Sequence, residues 1–476
     1  MSKHSNSEYT RKPLSSVTRN LSILGLVVGL ILVGIGVSVG EFYTGPENNH
    51  EKTEKEKLEI VKLKQEVLTN KLLLNKPKPA DHAAVEKAHD KASTEHESHD
   101  ATAAHAGEHG HESNSKNTYT IENRVWANFL VMFLFVLSIG AGSLFLVGLE
   151  HLVGAKWSTP LRRVAEIFCF MLIPAFAFGL IIYLGGMNAL YDAWVTNPTN
   201  DKIIAGKSGF LNPTAFLCRF LIVFAFWGFF YWFFNRNSKA QDTTRDQKYT
   251  RASAKLAPVF IIFNAFAITM IAIDFIMTLS PKWFSTMFGV AYFGGSVMAA
   301  IAANLFASVK LKENNYLHPQ MKNDTFYSLA GLLFGFNCFW AYVSFCQFML
   351  IWYSNIPEET FWFLLRWDGQ WLWYTLFMIV FHFVIPLALL ISRSAKTNLG
   401  RLKVMSVWLL VAHYVDLYWQ VVPTFSDSPF VGLVEVGFLI ISLSVLAMFF
   451  WIKARNVNHV PVGDPKLEIG LGFRLH

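Results

Sequence analysis

A small set of ionisable side chains sits inside stretches that are otherwise almost wholly apolar: Glu166, Arg219, Asp274, His382, His413, Asp416 and Glu435. Carboxylates and imidazoles so placed suit proton transfer, because burial and neighbouring charges move their affinities towards neutrality. His413 and Asp416 are three residues apart, so on a helix they share a face. Ordered by depth, Glu435, Asp416, His413, His382, Asn264 and Glu166 predict a chain of proton carriers, with Asn337 at mid-depth. Two other readings stay open. The same groups can be interhelical hydrogen bonds and buried ion pairs, Asp274 with Arg219 first among them. His382 and His413, at matching depth, could also be the axial ligands of a b-type haem.

The elements that must hold these groups are set by composition. Only 16% of the 476 residues are charged and 53% are apolar, whereas soluble domains carry about a quarter charged residues. This excludes an ordinary soluble enzyme. The charges also crowd into connecting stretches, as a bilayer requires. The first apolar run, Leu21 to Phe42, follows the basic residues Lys3, Arg11, Lys12 and Arg19. It is too long for a cleaved signal and reads as a retained anchor. Nine more runs follow at about 125–149, 164–185, 211–234, 257–279, 287–309, 327–351, 371–392, 403–422 and 430–453. Each approaches the roughly 20 residues a spanning helix needs. The expected fold is therefore all-α and integral to the membrane, with about ten transmembrane helices. The expected organisation is a 1–43 N-terminus with anchor helix, a 44–124 polar segment, a 125–453 transmembrane domain and a 454–476 tail.

Lys and Arg concentrate in alternate connections, for example Arg162, Arg163, Arg236, Lys239, Arg245, Lys310, Arg393 and Arg401. The opposite short loops hold only Lys202, Lys207, Lys282 and Arg366. By the positive-inside rule both termini are expected in the cytoplasm and the 44–124 segment outside. At the outer face Trp283, Trp352, Tyr353, Trp362, Trp367, Trp371 and Trp373 predict an aromatic belt.

Within the polar segment, 55–76 could form an amphipathic helix ended by Pro77 and Pro79. Beyond it lie His82, His89, His96, His99, His105, His109 and His111. His105, His109 and His111 are weak metal-ligand candidates, but no fixed ligand spacing repeats, and a solvated tether is the plainer reading. The cysteines Cys169, Cys218, Cys338 and Cys346 form no CxxC or CxxCH, so no covalent haem or iron–sulfur cluster is expected. They read as small buried hydrophobes.

Four stretches carry a family resemblance: Lys156 to Glu166 with its Arg162-Arg163 pair; Asp274 to Gly289 with Ser280-Pro281-Lys282-Trp283; Gln347 to Thr360, where Asn355 and Pro357 end a helix; and His382-Phe383 through Ser392-Arg393 to Asp416-Leu417-Tyr418-Trp419. Over about 125–453 the chain resembles the polysulfide-reductase-like (NrfD-like) membrane subunits of alternative complex III, in particular the second, ActF-type subunit. The resemblance implies two four-helix bundles with a flanking helix at each end, in a bacterial inner membrane. It implies membership of a quinol:electron-acceptor oxidoreductase that passes electrons to cytochrome c or a terminal oxidase. The implied partners are an NrfD-like sister subunit carrying the quinol site, an iron–sulfur protein and c-type multihaem subunits, with a terminal oxidase as a further one. Quinol would then be a cofactor of the complex, with lipids around this chain and no nucleic acid. This subunit would support the complex and conduct protons without a redox centre of its own. Residue by residue, Asp274 matches best, then His413, Asp416, His382 and Arg393. His151 stands where related subunits can bear a functional histidine, although helix-end solvation is its plainer reading. A secondary transporter and a b-haem cytochrome are the rival functions, the first requiring paired broken helices.

Overall fold

In hydrocarbon a backbone must satisfy its own hydrogen bonds, so each long apolar run can only be helical. The computed structural model describes residues 14–40, 120–196, 198–199 and 201–474. The His-rich candidates and the expected 55–76 helix lie outside those residues. The described residues contain helices and no strand. The ten expected runs are present as α1 (Ser16–Gly40), α2 (Ile121–Val153), α3 (Thr159–Val195), α4 (Pro213–Thr244), α5 (Lys248–Leu279), α6 (Phe288–Glu313), α7 (Asn323–Ser354), α8 (Gly369–Leu390), α9 (Leu399–Val421) and α10 (Leu433–Ala454). Among the described residues, nine of these are long and apolar enough to cross a membrane. The exception is α9. Its 23 residues span about 35 Å at 1.5 Å each, but Arg401, Lys403 and Asp416 lower its hydropathy. The chain is an all-α integral membrane protein.

Local chemistry sets the helix ends. Thr120, Asn212 and Asn398 accept first-turn amides with their side chains. Gly154, Arg245 and Asn355 close α2, α4 and α7 in the left-handed region at φ 65°, 54° and 50°. After Asn355 comes the connecting helix Pro357–Trp367, with proline in its first turn.

The helices form two groups of four. In the first, α2 packs on α3 and α5, and α4 packs on α5; in the second, α6 packs on α7 and α9, and α8 bridges α7 and α9. The groups meet where α2 lies along α6, and the apolar window of α2 is wholly buried. Small residues allow the approach: a Cβ on Gly142 would stand 2.6 Å from the Ser296 carbonyl. Ser296 Oγ donates to Ser138 Oγ (3.1 Å), Ser138 Oγ bonds Tyr292 Oη (3.2 Å), and Asn304 Nδ2 donates to Ser143 Oγ (3.1 Å). Such small-residue contacts and hydrogen bonds hold helices together where lipid removes the hydrophobic driving force. The flanking helices pair with each other, α1 on α10, and α10 rests on α2.

Two spanning helices contain wide turns. Ile182–Gly186 in α3 and Ile379–Val384 in α8 have i→i+5 geometry. In α8 the cause is Pro386, which cannot bond the carbonyl of His382 and crowds it, so the preceding turn widens. Neither helix unwinds at its wide turn, although α3 kinks further on at Tyr191 (φ −124°, ψ 28°), and the two occupy different positions in their groups. The paired broken helices of a transporter are not seen among the described residues.

Two expectations need correction. Trp352, Tyr353 and Trp373 are exposed as a belt requires, but Trp283, Trp362 and Trp371 are at most 3% exposed. Trp283 stacks on Trp362 at 4.5 Å and donates to the Glu359 carbonyl. Buried indoles with a hydrogen bond are packing elements, not bilayer anchors. Of the cysteines only Cys169 is buried; Cys338 and Cys346 are half-buried and Cys218 is exposed.

The α1–α10 contact is a meeting of backbones: a Cβ on Gly437 would lie 3.0 Å from the Gly29 carbonyl, and one on Gly29 the same distance from the Gly437 carbonyl. Gly437→Leu therefore must part the two helices, at a cost of about 1–3 kcal/mol. Gly34→Leu, where a Cβ meets nothing within 4 Å, leaves the contact intact. Thermal unfolding in detergent should show a lowered midpoint for the first variant and an unchanged one for the second.

Candidate functional site

Most of the sequence-predicted groups sit at the ends of the helices, each with a partner. At the end where α2 begins, Arg124 grips Glu435 through both oxygens at 2.8 and 2.6 Å, and Asn128 adds a third bond at 3.1 Å. Glu435 also accepts from the Gly432 amide and so caps α10. It is in the first turn, not deeper, and its partners place it apart from Asp416. At the same end Arg219 holds Asp274 with Nε at 3.0 and 2.9 Å and Nη2 at 2.9 Å, and stacks on Phe210 at 3.9 Å. The ion pair expected from sequence is there.

At the opposite, basic end Glu166 lies between Arg162 (3.4 Å) and Arg163 (3.2 Å) and accepts from Ser238 Oγ at 2.8 Å. Arg163 reaches on to Asp242 at 2.6 Å and Arg162 to Asp464 at 2.5 Å. Asp464 belongs to the expected tail, and residues 459–471 pack into this network: Gly463 donates to Asp242, and Gly470 lies against Pro160. His151 is 7% exposed and stacked on Phe234, so it is a packed side chain and not a solvated one. Arg393 is exposed, over the Tyr327 ring at 5.9 Å, away from the other candidates. Asn264 accepts from Trp227 Nε1 at 2.8 Å. The relay from Glu435 to Glu166 is thus not a continuous line of contacts.

What the structure does bring together is His382, His413 and Asp416. All three are at most 2% exposed, and one ligand-type atom of each lies within 4.8 Å of the others. The wide turn before Pro386 carries His382, and Trp408 Nε1 of α9 donates to the Phe381 carbonyl there at 2.8 Å. Trp340 of α7 lies against His382, ring centroids 3.7 Å apart, and donates to Asp416 Oδ2 at 3.2 Å. Gln420 Nε2 donates to the same oxygen at 3.0 Å. His413 lies against Gly295 of α6, where a Cβ would meet the ring at 3.0 Å. None of the four ring nitrogens has a hydrogen-bond partner among the described residues.

A cavity of about 50 Å³ reaches Asp416, lined also by Ser344, Gln347, Gln420, Trp340 and Trp362. That is room for a few waters, and of the three residues only Asp416 lines it. A larger cavity, about 440 Å³ and mostly apolar, lies in the other group between Phe210, Met277 and Phe284, and none of the three residues lines it.

Sequence reasoning missed Arg366. It is fully buried with no carboxylate partner among the described residues, donates to the carbonyls of Trp362 (2.8 Å), Trp419 (3.2 Å) and Gln420 (2.7 Å), and lies 3.4 Å over Trp362. Trp419 and Gln420 end α9, so Arg366 satisfies two of the carbonyls that a helix terminus leaves unpaired and meets its negative dipole end. It fixes the turn that aims Gln420 at Asp416. Arg124 was missed because it stands at the margin of its apolar run. The only sequence signal for Arg366 was a lone arginine among Trp362, Trp367 and Trp371.

Compared with known proteins, the chain matches no family model and no curated protein.

Removing one partner of the buried Arg124–Glu435 pair leaves an uncompensated charge, at a cost of about 3–5 kcal/mol. Glu435→Leu and Arg124→Leu should each lower stability by that order, and the double variant should lose much less than their sum. A double-mutant cycle by denaturation in detergent micelles checks it.

Proposed function

We propose that this chain is a membrane subunit of a quinol:electron-acceptor oxidoreductase of the alternative complex III type, acting as scaffold and proton conductor without a redox centre of its own. The observation that carries the proton role is the His382–His413–Asp416 group. Three proton-exchanging side chains converge deep in an apolar body, beside a cavity with room for water. Leaving such groups unpaired in low dielectric costs free energy, and packing alone gains nothing from them. The four resembling stretches support the membership of the complex. The arrangement of two four-helix groups with flanking helices accords with it.

In this reading the chain lies in a bacterial inner membrane, with the basic end and both termini cytoplasmic and the 44–124 segment periplasmic. An NrfD-like sister subunit, an iron–sulfur protein and c-type multihaem subunits surround it, with a terminal oxidase as a further partner. Quinol oxidation in a neighbour changes charge near the outer face. Asp416, reached from the outer cavity, exchanges a proton with His413 and His382, and the basic-end network around Glu166 is its counterpart on the other side. Asp274, held by Arg219, is an anchor between α4 and α5 rather than a carrier.

Purification in mild detergent through a tag on this chain, with a visible redox spectrum and subunit identification, tests the complex. Co-purifying c-type haem and iron–sulfur subunits with quinol oxidase activity are expected; a lone, colourless chain would overturn the assignment. Asp416→Asn should preserve assembly and electron transfer yet lower the protons moved per electron in proteoliposomes. Unchanged stoichiometry would remove Asp416 from the path.

A further inference from the structure

We propose that His382, His413 and Asp416 form a binding site for one divalent transition-metal ion, of which zinc is the best match, and that the ion occupies it reversibly. The proposal uses the residues invoked above for proton exchange but does not need that role to be correct.

The argument begins with unmet hydrogen bonding. His382 is 0% and His413 1% exposed. Both nitrogens of each ring are without partners among the described residues. Buried polar groups are nearly always satisfied, and those that are not call for a water, an ion or a functional role. A neutral imidazole offers one lone pair, which is what a metal takes. Asp416 spends Oδ2 on Trp340 and Gln420, which leaves Oδ1 for a third ligand. The two bonds also orient the carboxylate, as the outer partners of ligating groups do.

Geometry agrees. Two imidazoles and one carboxylate make a three-ligand set with a position left open, the composition of many zinc sites. The ligand atoms lie within 4.8 Å of one another, against about 3.3 Å between ligands of a tetrahedral ion with bonds near 2.0 Å. Closing that gap takes a shift of about 1 Å at each ligand atom, the scale of a modest rotation about the side-chain bonds. The cavity is lined by Asp416 and by neither imidazole, so the water that completes the set and the way in, past Ser344, Gln347 and Gln420, come from the Asp416 side. Charge also closes. A divalent ion with one carboxylate leaves a single positive charge, and metal-bound water ionises near neutrality, so bound hydroxide makes the site neutral. Binding then releases a proton from water. Because the ion takes the same lone pairs that a proton would, ion and mobile proton exclude each other.

The experiment uses the full purified chain in detergent, stripped with a chelator and titrated with Co²⁺. A second full-length preparation carries alanine at His82, His89, His96, His99, His105, His109 and His111, so that ions held by those histidines are subtracted. In both, a single Co²⁺ per chain with the intense d–d absorption of a four-coordinate ion is expected, displaced by Zn²⁺. His382→Gln and His413→Asn should abolish that absorption, and Gly295→Ala, which crowds the His413 ring, should weaken binding at least tenfold. Gel filtration reports whether each variant is folded; should the His variants fail, Gly295→Ala and the spectrum of the unaltered chain decide. Absorption that vanishes with the seven-alanine preparation, or Co²⁺ uptake unaffected by His382→Gln and His413→Asn, would overturn the site. Proton stoichiometry is measured separately in ion-free proteoliposomes, so loss of the metal site and loss of the proton role are distinguishable.

Discussion

The close packing of α2 along α6 is the constraint on which the rest depends. The apolar stretch of α2 is wholly enclosed, and in lipid an enclosed helix gains only from contact distance and hydrogen bonds. Gly142 sets the distance, and Ser138, Ser143, Ser296 and Asn304 supply the bonds. Each half of the molecule then builds outward from its own member of this pair. α9 packs on both, and so His413 comes to lie against Gly295 with Phe135 of α2 nearby, ring centroids 6.2 Å apart. A larger residue on α6 at that point would leave the imidazole no place. The site is thus a consequence of the seam.

The distribution of buried polarity follows a simple rule with one departure. Charged groups cluster at helix ends, where they pair across helices and also satisfy termini: Glu435 caps α10, Arg366 takes the last carbonyls of α9, and Arg162 joins α3 to Asp464. There the protein replaces water with fixed partners and lets the pairs define which helices neighbour which. Near the middle of the membrane body the rule fails. Among the described residues Asp416 has two neutral donors and no cation, and the histidines beside it have no hydrogen-bond partner. Other buried polar atoms also lack a partner among the described residues, both side-chain atoms of Asn337 included; what sets this place apart is that two such imidazoles converge with a carboxylate.

Much of this was legible in the residues. Twenty-residue apolar runs gave the helices, since length and hydropathy are local properties. The Asp274–Arg219 pair could be read from matched depth on neighbouring helices. Depth alone did not separate Glu435 from Asp416, because the residue that claims Glu435 is Arg124, 311 positions away in sequence. The wide turn at His382 follows from Pro386, yet the rotation it gives the imidazole depends on Trp340 and Trp408 lying opposite. The tryptophans show the limit most plainly: Trp371 and Trp373 are two residues apart and alike by composition, but one faces Tyr374 and Tyr418 and the other faces outward. Which side of a helix meets protein is a property of the assembly of helices, and no single run contains it.

The pairing of α1 with α10 has a consequence for how the molecule is made. Its first helix leaves the ribosome roughly four hundred residues ahead of the helix that holds it, and until then its row of small residues, Gly25, Gly29 and Gly36, faces lipid without a mate. The basic-end network waits longer still, since Asp464 follows α10 in the chain. The contacts between the two ends of the chain therefore close last, after the helices between them have been made. A chain halted before α10 would lack the surface against which those glycines pack.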